Sequence, residues 1–315
     1  MRSDAKRVKN INGLTQILID LKPYRCDSDV YINEDVDVTE LVKYIEKKKS
    51  KNKDITFFHA FITAMGKTIY NRDKLNRFIA NRHTYEHNDV VISFVAKVSF
   101  DDKSEEVMIM IPIDKEDNID TISKKVTDKI NSFRKKNSKK EGANSAIDTI
   151  GKLPNIIRVP LVGLLKWCDD KGILPKSLMK DNVYYSSMMV SNIGSLKCGA
   201  IYHNLTNLGT CSSLVTIGEI KDKEVLINGK REIRKVCEFG ITIDERVAEG
   251  YYLIKCIKLL EKIFENPNML EYLIKTNLDK GFYGMDVIYA YEELNEDSIR
   301  VIDKVGKVLT KKKKN

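Results

Sequence analysis

Alternating apolar and polar positions predict a series of strands in the first half of the chain. Residues 30–38, 90–100 and 106–112 carry this alternation, and shorter strands are indicated at residues 77–80 and 83–86. Side chains alternate between the two faces of a strand, so each of these strands should bury one face and leave the other polar.

Apolar residues spaced three and four positions apart predict helices around these strands. Thr39 is expected to cap a helix that carries Leu41 and Ile45 on its buried face. Residues 54–70 are apolar almost all round, which indicates a helix buried on every side. Residues 119–133 have the one-sided spacing of an amphipathic helix.

The apolar stretch at residues 153–168 is interrupted by Pro160 and Gly163. It is too short and too interrupted to span a bilayer. A helix packed in the core is the preferred interpretation, and a helix lying on a membrane surface or covering a binding cleft stays open as an alternative. The polar run before it, residues 135–143, is predicted to be a loop.

The second half returns to strands, predicted at residues 182–191, 213–220 and 234–243. The Asn-Gly pair at 228–229 suits a type I′ turn and predicts a hairpin, and residues 249–264 form an amphipathic helix pattern. Because strands occur in adjacent pairs with helices between the groups, the order predicts a mixed-sheet α/β sandwich rather than a doubly wound sheet.

Length and charge narrow the class of protein. The chain has 315 residues, 42% of them hydrophobic, and a net charge of +9, as expected of a globular protein that is basic overall. Its lysines are scattered and are not interleaved with aromatic residues, so we predict no nucleic-acid partner. A positive field also favours anionic ligands such as a coenzyme phosphate.

Cysteines and the amino terminus indicate the compartment. The six cysteines form no CxxC pair and no ligand spacing with the four histidines, which predicts reduced thiols and no metal site. The first ten residues are polar, so a secretory signal is not expected, and we predict a cytoplasmic protein.

Three segments together resemble a known family. They read EDVDVTEL at residues 34–41, MVSNIG at 189–194 and IDERVAEG at 243–250, with about 50 residues between Ser191 and the last segment. Their order and spacing are similar to the catalytic domain of the 2-oxoacid dehydrogenase (dihydrolipoyl) acyltransferases and to chloramphenicol acetyltransferase. The third segment resembles the family's Asp-His-Arg-x-x-Asp-Gly signature, with Glu245 in place of the histidine.

The resemblance implies a fold and an organisation. It predicts a chloramphenicol acetyltransferase-like two-layer sandwich with a mixed central sheet over residues 1–275, carrying an insertion at about 150–180. Residues 276–315 are predicted to be a C-terminal extension with a basic tail. The lipoyl domain and subunit-binding segment of the dehydrogenase complexes are not expected here, so a stand-alone homotrimer with its active site between subunits is predicted.

The resemblance also implies roles for individual residues. Ser191 would donate to the oxyanion, and Glu245 would occupy the position of the catalytic base. The supporting positions of the signature are Asp244, Arg246 and Glu249. In the family the last acid pairs with an arginine near the N-terminus, for which Arg7 is the first candidate and Arg25 the second.

Four histidines are available in the chain as substitutes for the missing base. His203 follows the serine segment and could reach the same channel, although a structural or surface role is more common for such a residue. His59 is predicted to lie in the core, while His83 and His87 are predicted to be exposed.

The glutamate leaves two hypotheses open. A thiol has a pKa of about 8.5 and an unperturbed glutamate about 4.3, against about 6.5 for imidazole, so proton transfer to Glu245 is the less favourable by about 3 kcal/mol. The first hypothesis is a coenzyme A-dependent acyltransferase acting on a small-molecule acyl donor and acceptor. The second is an inactive trimer of the same fold that binds a ligand or regulates. A carboxylate facing Ser191 would favour the first, and one held in a salt bridge the second.

Overall fold

The central sheet of this computed structural model has six strands, in the spatial order β2 (Asp29–Asp37), β9 (Lys230–Asp244), β8 (Ser213–Ile227), β7 (Met188–Asn192), β5 (Val90–Lys97) and β6 (Glu106–Ile113). The structure describes residues 2–97, 106–135, 149–227, 229–278, 290–295, 298–302 and 308–312. In the central sheet β7 runs parallel to β5 and to β8, while the pairs β2–β9, β8–β9 and β5–β6 are antiparallel. The predicted mixed sheet is therefore confirmed.

The bounds of the described elements are as follows. The strands are β1 (Ala5–Arg7), β2 (Asp29–Asp37), β3 (Arg77–Ala80), β4 (His83–His87), β5 (Val90–Lys97), β6 (Glu106–Ile113), β7 (Met188–Asn192), β8 (Ser213–Ile227), β9 (Lys230–Asp244), β10 (Asn277–Leu278), β11 (Ala290–Asn295), β12 (Ser298–Ile302) and β13 (Val308–Lys312). The helices are α1 (Gly13–Leu21), α2 (Thr39–Lys49), α3 (Phe57–Asn71), α4 (Ile119–Lys135), α5 (Asn155–Asp170), α6 (Lys176–Met179) and α7 (Gly250–Glu265).

Helices α2, α3, α4 and α7 cover one face of the central sheet and enclose the main core. Helix α3 is buried almost all round, as its sequence predicts. At its centre the Phe61 ring stacks on that of Phe239 of β9, with ring centroids 5.4 Å apart. Its centroid is 6.3 Å from that of Phe264 of α7. Aromatic packing of this kind fixes the helices against the sheet.

The opposite face of the sheet is closed by the segment 197–212. Glycines let this segment approach: a side chain on Gly240 would lie 2.6 Å from the carbonyl oxygen of Ile201, and one on Gly218 would lie 2.8 Å from the amide nitrogen of Ala200. The side chain of Glu238 accepts a hydrogen bond from the Ala200 amide. Ser191 and the strand end that leads to Glu245 both belong to this side of the molecule.

The long hairpin β8–β9 is in the predicted place, with Ile227 paired to Lys230. Asn228 lies outside the described residues, and Gly229 has a positive φ of 78°, a conformation that glycine adopts without strain. Strand β9 continues from this hairpin to Asp244, the first acid of the signature.

Some sequence expectations about helices and strands differ from the structure. Thr39 is the first residue of α2 rather than its cap, and its hydroxyl accepts instead from the amide of Lys235. The predicted strand at 182–191 is shorter, because residues 183–185 form a 3₁₀ turn before β7. Strands β10 to β13 form a separate four-stranded sheet in the predicted extension, where no elements were expected. The predicted loop at 135–143 lies almost entirely outside the described residues.

The expectation of a core helix at residues 153–168 is wrong. Helix α5 does form there, beginning after Pro154 and containing Pro160, but it lies on the surface with Ile156 84% exposed and Trp167 54% exposed. Apolar content alone does not distinguish a buried helix from a surface helix whose apolar side chains are left uncovered.

Candidate active site

The signature forms a tight turn at the end of β9, built on a buried ion pair. Arg246 donates through Nε to Asp244 Oδ1 at 2.8 Å and through Nη2 to Oδ2 at 2.7 Å, and neither side chain is accessible to solvent. Arg246 also donates through Nη1 to the carbonyl of Lys22 at 2.7 Å. The bidentate pair with Asp244 fixes the Arg246 guanidinium, and the bond to Lys22 connects the signature to the chain that follows α1.

Arg25 is a second buried cation beside Asp244. Its Nε lies 3.8 Å from Asp244 Oδ2, and its guanidinium donates to the carbonyls of Thr206 and Gly209 at 2.6 and 2.9 Å. Burial lowers the pKa of Arg25, and the nearby Asp244 carboxylate opposes that effect. Arg25 therefore supports the signature from the segment 197–212.

Asp29 lies opposite Asp244 in the register of β2 and β9. Burial raises the pKa of its carboxyl, and the amide of Leu205 opposes this by donating to it at 3.2 Å. Two acids next to each other on paired strands would repel, so the cations Arg25 and Arg246 are needed on the same side.

Glu245 projects outward between the two buried residues of the pair. Its amide donates to the carbonyl of Ser28 at 3.0 Å, and its carboxylate accepts a hydrogen bond from Lys22 Nζ. The Lys22 side chain is 40% exposed and that of Glu245 is 31% exposed, so this ion pair is partly screened by water. The sequence carries no motif around Lys22, and only the fold places it here.

Glu249 pairs with a lysine, which corrects the expected pairing with Arg7 or Arg25. Its carboxylate accepts from Lys74 Nζ at 2.9 Å, and this hydrogen bond holds the pKa of Glu249 below its ordinary value. Arg7 instead lies against His83 Nδ1 at 3.2 Å. The physical reason is placement: Glu249 precedes α7 on the side of Lys74, whereas Arg25 is drawn into the buried cluster around Asp244.

Ser191 lies on β7, half-buried on the face that segment 197–212 covers. It pairs with Thr216 of β8, which pairs in turn with Gly240 of β9. Asp244 is four residues beyond Gly240, which is about 13 Å along the strand. Ser191 is two strands away from Gly240, which is about 10 Å across the sheet. The two displacements are at right angles, so Ser191 lies roughly 16 Å from Asp244. Within one chain the Ser191 hydroxyl and the Glu245 carboxylate are too far apart to act on one atom.

Several hydroxyl groups on or next to strands β8 and β9 have no hydrogen-bond partner among the described residues. They are buried, and they include Ser212, Thr216 and Thr242. Sequence analysis did not identify them, because a threonine in an alternating strand is an ordinary strand former.

The histidines occupy different environments. His203 is exposed in the segment 197–212. His59 is buried, as predicted, and forms a capping box with Thr56 at the start of α3; burial lowers its pKa.

His87 is not exposed, contrary to expectation. Its Nδ1 donates to the carbonyl of Asn76 at 2.9 Å, its Nε2 accepts from the Thr210 hydroxyl at 2.8 Å, and its ring lies 4.6 Å from that of Phe78. Burial lowers the pKa of His87 to about 4. The polar sequence of the β3–β4 hairpin gave no sign of this, because Thr210, which contacts Nε2, lies 123 positions further along the chain.

A cleft of about 450 Å³ opens beside the signature. Its wall includes Arg25 and Arg246 from the buried cluster, Tyr24, and residues Lys166 and Trp167 of α5. Aromatic surface and a cation together suit an anionic ligand with an apolar part. Among the residues the structure describes, no group of three His, Cys, Asp or Glu side chains could hold a metal ion.

Comparison with known proteins finds a family model that matches part of the chain. Residues 174–272 match the family model of the 2-oxoacid dehydrogenases acyltransferase (catalytic domain). No match is found among curated proteins.

Solved structures have the same fold. The chain is similar to a probable dihydrolipoamide acetyltransferase of Listeria monocytogenes, with 17% identity and a TM-score of 0.54, over 82% of this chain and 94% of that one. It is similar to the dihydrolipoamide acetyltransferase of Azotobacter vinelandii, with 13% identity and a TM-score of 0.56, over 84% and 93%.

A third similar structure is the truncated catalytic core of the 2-oxoacid dehydrogenase multienzyme complex of Thermoplasma acidophilum, with 17% identity and a TM-score of 0.53, over 84% and 100%. The predicted two-layer acyltransferase sandwich is confirmed. The Azotobacter structure comes from a study of one serine, one histidine and one asparagine in that enzyme's catalytic mechanism.

Proposed function

We propose that this chain, whose residues 174–272 match the catalytic domain of the 2-oxoacid dehydrogenase acyltransferases and whose fold is that of their catalytic cores, transfers an acyl group between a coenzyme A thioester and an acceptor. The observation that carries the proposal is the signature turn. In this turn Asp244 and Arg246 form a buried ion pair, and the residue between them, Glu245, faces outward. Two buried charges are an expensive way to stabilise a turn, so their use here points to the residue they hold, Glu245.

Spacing in a relative supports the assignment of roles. In the Azotobacter enzyme the studied asparagine follows the histidine by four positions, the interval between Glu245 and Glu249. Its studied serine precedes the histidine by 52 positions, and Ser191 precedes Glu245 by 54. We therefore assign the oxyanion donor to Ser191 and the base to Glu245.

In the proposed reaction the Glu245 carboxylate takes the proton of a thiol, and the thiolate attacks the acyl carbonyl carbon. The Ser191 hydroxyl donates to the oxyanion while the tetrahedral intermediate forms, and collapse of that intermediate expels the other thiolate or alkoxide, which takes the proton back. Lys22 has a specific place in this scheme. Once Glu245 is protonated its ion pair is lost, and the Lys22 ammonium is free to stabilise the new thiolate.

We propose a homotrimer with the site between subunits. The roughly 16 Å between Ser191 and Asp244 along the sheet supports this, because a site with both functional groups then needs two copies of the chain. Exposed apolar side chains of α1, which are Leu14, Ile17 and Leu21, lie next to Lys22 and are suited to being covered by a second copy.

The test is thiol release from acyl coenzyme A donors of increasing chain length. We expect turnover that Glu245→Gln and Ser191→Ala each reduce by at least about a hundredfold, the usual range for an acid–base group or an oxyanion donor. Glu238→Gln is the matched control, because Glu238 lies on the same strand and is held by the Ala200 amide and the Asn33 side chain. Turnover that survives Glu245→Gln would refute the role of Glu245 as base.

The ion pair of Glu245 with Lys22 favours a second candidate function, binding of the thioester without turnover. A carboxylate already engaged by a lysine is less available as a proton acceptor. This function predicts that coenzyme A or an acyl coenzyme A raises the melting temperature, that no thiol is released with any donor, and that Glu245→Gln leaves the shift in melting temperature unchanged.

A further inference from the structure

Helix α5 presents an uncovered apolar surface. Six of its side chains are exposed by two-fifths or more of their area: Ile156, Ile157, Val159, Val162, Leu164 and Trp167. Single exposed apolar residues are common on protein surfaces, but a contiguous group on one helix marks a site of association. No helix in the described part of the chain meets the length and hydropathy needed to cross a bilayer.

The charge around α5 is positive. Residues 149–180 contain six lysines and arginines but only two acids, Asp169 and Asp170. Asp169 is buried and Asp170 accepts from the amide of Asn81, so both acids are already engaged. Lys152 is exposed just before the helix, and Lys166 is exposed within it, with its Nζ 5.6 Å from the centre of the Tyr24 ring.

The helix is fixed to the body of the protein at its carboxyl end. Arg2 donates to the Asp169 carbonyl at 2.6 Å and to its carboxylate at 3.1 Å, and the amide of Gly209 donates to the same carboxylate at 2.8 Å. Lys171 donates to the Asn81 side chain at 2.9 Å. The anchor is polar, its bonds to Asp169 are buried, and it lies at one end, so it fixes the direction of α5 without covering its apolar side chains.

We propose that α5 lies on the surface of an anionic phospholipid bilayer and inserts these apolar side chains among the lipids. A helix with one apolar surface, flanking cations and a tryptophan has the composition of an interfacial helix, which sits about 5–10 Å deep at the headgroup boundary. Its cations contribute about 1 kcal/mol each near an anionic surface.

Charge favours a bilayer over a second copy of α5. Two copies packed face to face across a two-fold axis would bring their lysines and arginines together, and like charges oppose such contact. An anionic lipid surface neutralises the same residues. Binding to lipid needs neither Glu245 nor a thioester, although Lys166 and Trp167 of α5 also border the cleft beside the signature.

Trp167 allows the test to be made on the unmodified protein, since it is the only tryptophan in the chain. The full chain is mixed with phosphatidylcholine vesicles with or without phosphatidylglycerol, at moderate salt. We expect co-sedimentation with the anionic vesicles, a blue shift of the Trp167 emission, and quenching by brominated phosphatidylcholine included in those vesicles. Sedimentation without a blue shift or quenching would overturn the proposal, because the contact would then lie elsewhere, for example in the basic tail.

Variants locate the contact on α5. Ile156→Glu and Val159→Glu should each lower the partition coefficient onto anionic vesicles by about tenfold or more. Ile233→Glu is the matched control, since Ile233 is 74% exposed on β9, and it should bind as the wild type does. Equal binding of all three variants would overturn the proposal. So would absence of vesicle binding together with a lower sedimentation mass of the α5 variants, which would assign α5 to contact between copies.

Discussion

Glu245 and Lys22 form the least ordinary contact of the candidate site. A histidine at this position would be a neutral base with a pKa near 6.5, whereas a glutamate is charged at neutral pH and attracts a cation. Lys22, at the end of α1, supplies that cation. Glu245 is thus matched by a cation in its surroundings, and the reaction proposed above uses both residues.

Asp244 is the residue whose loss should be felt most in stability. Asp244→Asn removes the charge that balances two buried guanidinium groups, those of Arg246 and Arg25. We expect the free energy of unfolding to fall by about 3–5 kcal/mol, as for other buried pairs that lose one partner. Urea denaturation measures it. Asp35→Asn, which removes an exposed partner of Lys223, should cost less than about 1 kcal/mol. Equal losses would mean that the buried pair contributes no more than a surface pair.

His87 predicts a dependence of stability on pH. Its pKa is about 4 in the folded protein and about 6.5 when unfolded, so the unfolded chain takes up a proton first as pH falls. Stability contributed by neutral His87 is fully present above pH 6.5 and is lost as pH falls from about 6.5 towards 4. Between pH 7 and pH 5 we expect the wild type to lose about 2 kcal/mol more than His87→Gln does.

Urea titrations of unfolding at pH 7, 6 and 5 measure this difference. His83→Gln serves as the control on the same strand, and it should keep the pH slope of the wild type. If His87→Gln also keeps that slope, His87 is not the group responsible.

At the scale of elements, close backbone contact positions the segment 197–212. Gly240→Ala places a methyl group 2.6 Å from a backbone oxygen of that segment, and either the segment or β9 must shift. We expect a loss of about 1–3 kcal/mol in the free energy of unfolding, the usual cost of overpacking.

Gly163→Ala is the matched control for this prediction. Gly163 lies inside α5 with nothing within 4 Å of the added carbon, so alanine should raise stability by up to about 1 kcal/mol through helix propensity. Chemical denaturation of both variants gives the comparison. Opposite signs are expected, and a Gly240→Ala protein as stable as wild type would show that the segment yields without cost.

Helix α5 shows how far an element can be inferred from its pattern. Its apolar residues correctly predicted a helix, but its environment was predicted wrongly, because burial depends on what other elements lie nearby. The helices that cover the sheet, such as α3, occupy the space that a core helix would need. Helix α5 is left outside, attached by Asp169 at one end.

At the scale of the whole molecule, the separation of Ser191 from Glu245 predicts complementation between inactive variants. If each site takes its serine from one copy and its glutamate from the next, mixed trimers of Ser191→Ala and Glu245→Gln chains contain some complete sites. Random assembly of equal amounts gives about a quarter of the wild-type activity.

The experiment is thiol release after the two variants are unfolded together and refolded. Each variant refolded alone is the control and should stay inactive. A mixture that is no more active than its components would exclude a site shared in this way.

The sequence alone predicted most helices and strands, since periodicity specifies helix or strand locally, and it carried the resemblance to the acyltransferases in three ordered segments. It also assigned Ser191, Asp244, Glu245 and Arg246 to one functional set through the resemblance. The tertiary structure decided which charges meet: Lys22 with Glu245, Lys74 with Glu249, and Arg25 with Asp244. These partners are up to 223 positions apart, and no local pattern encodes a contact across that distance. The burial of His87 and the exposure of α5 were decided in the same way, because both depend on which distant residues pack nearby.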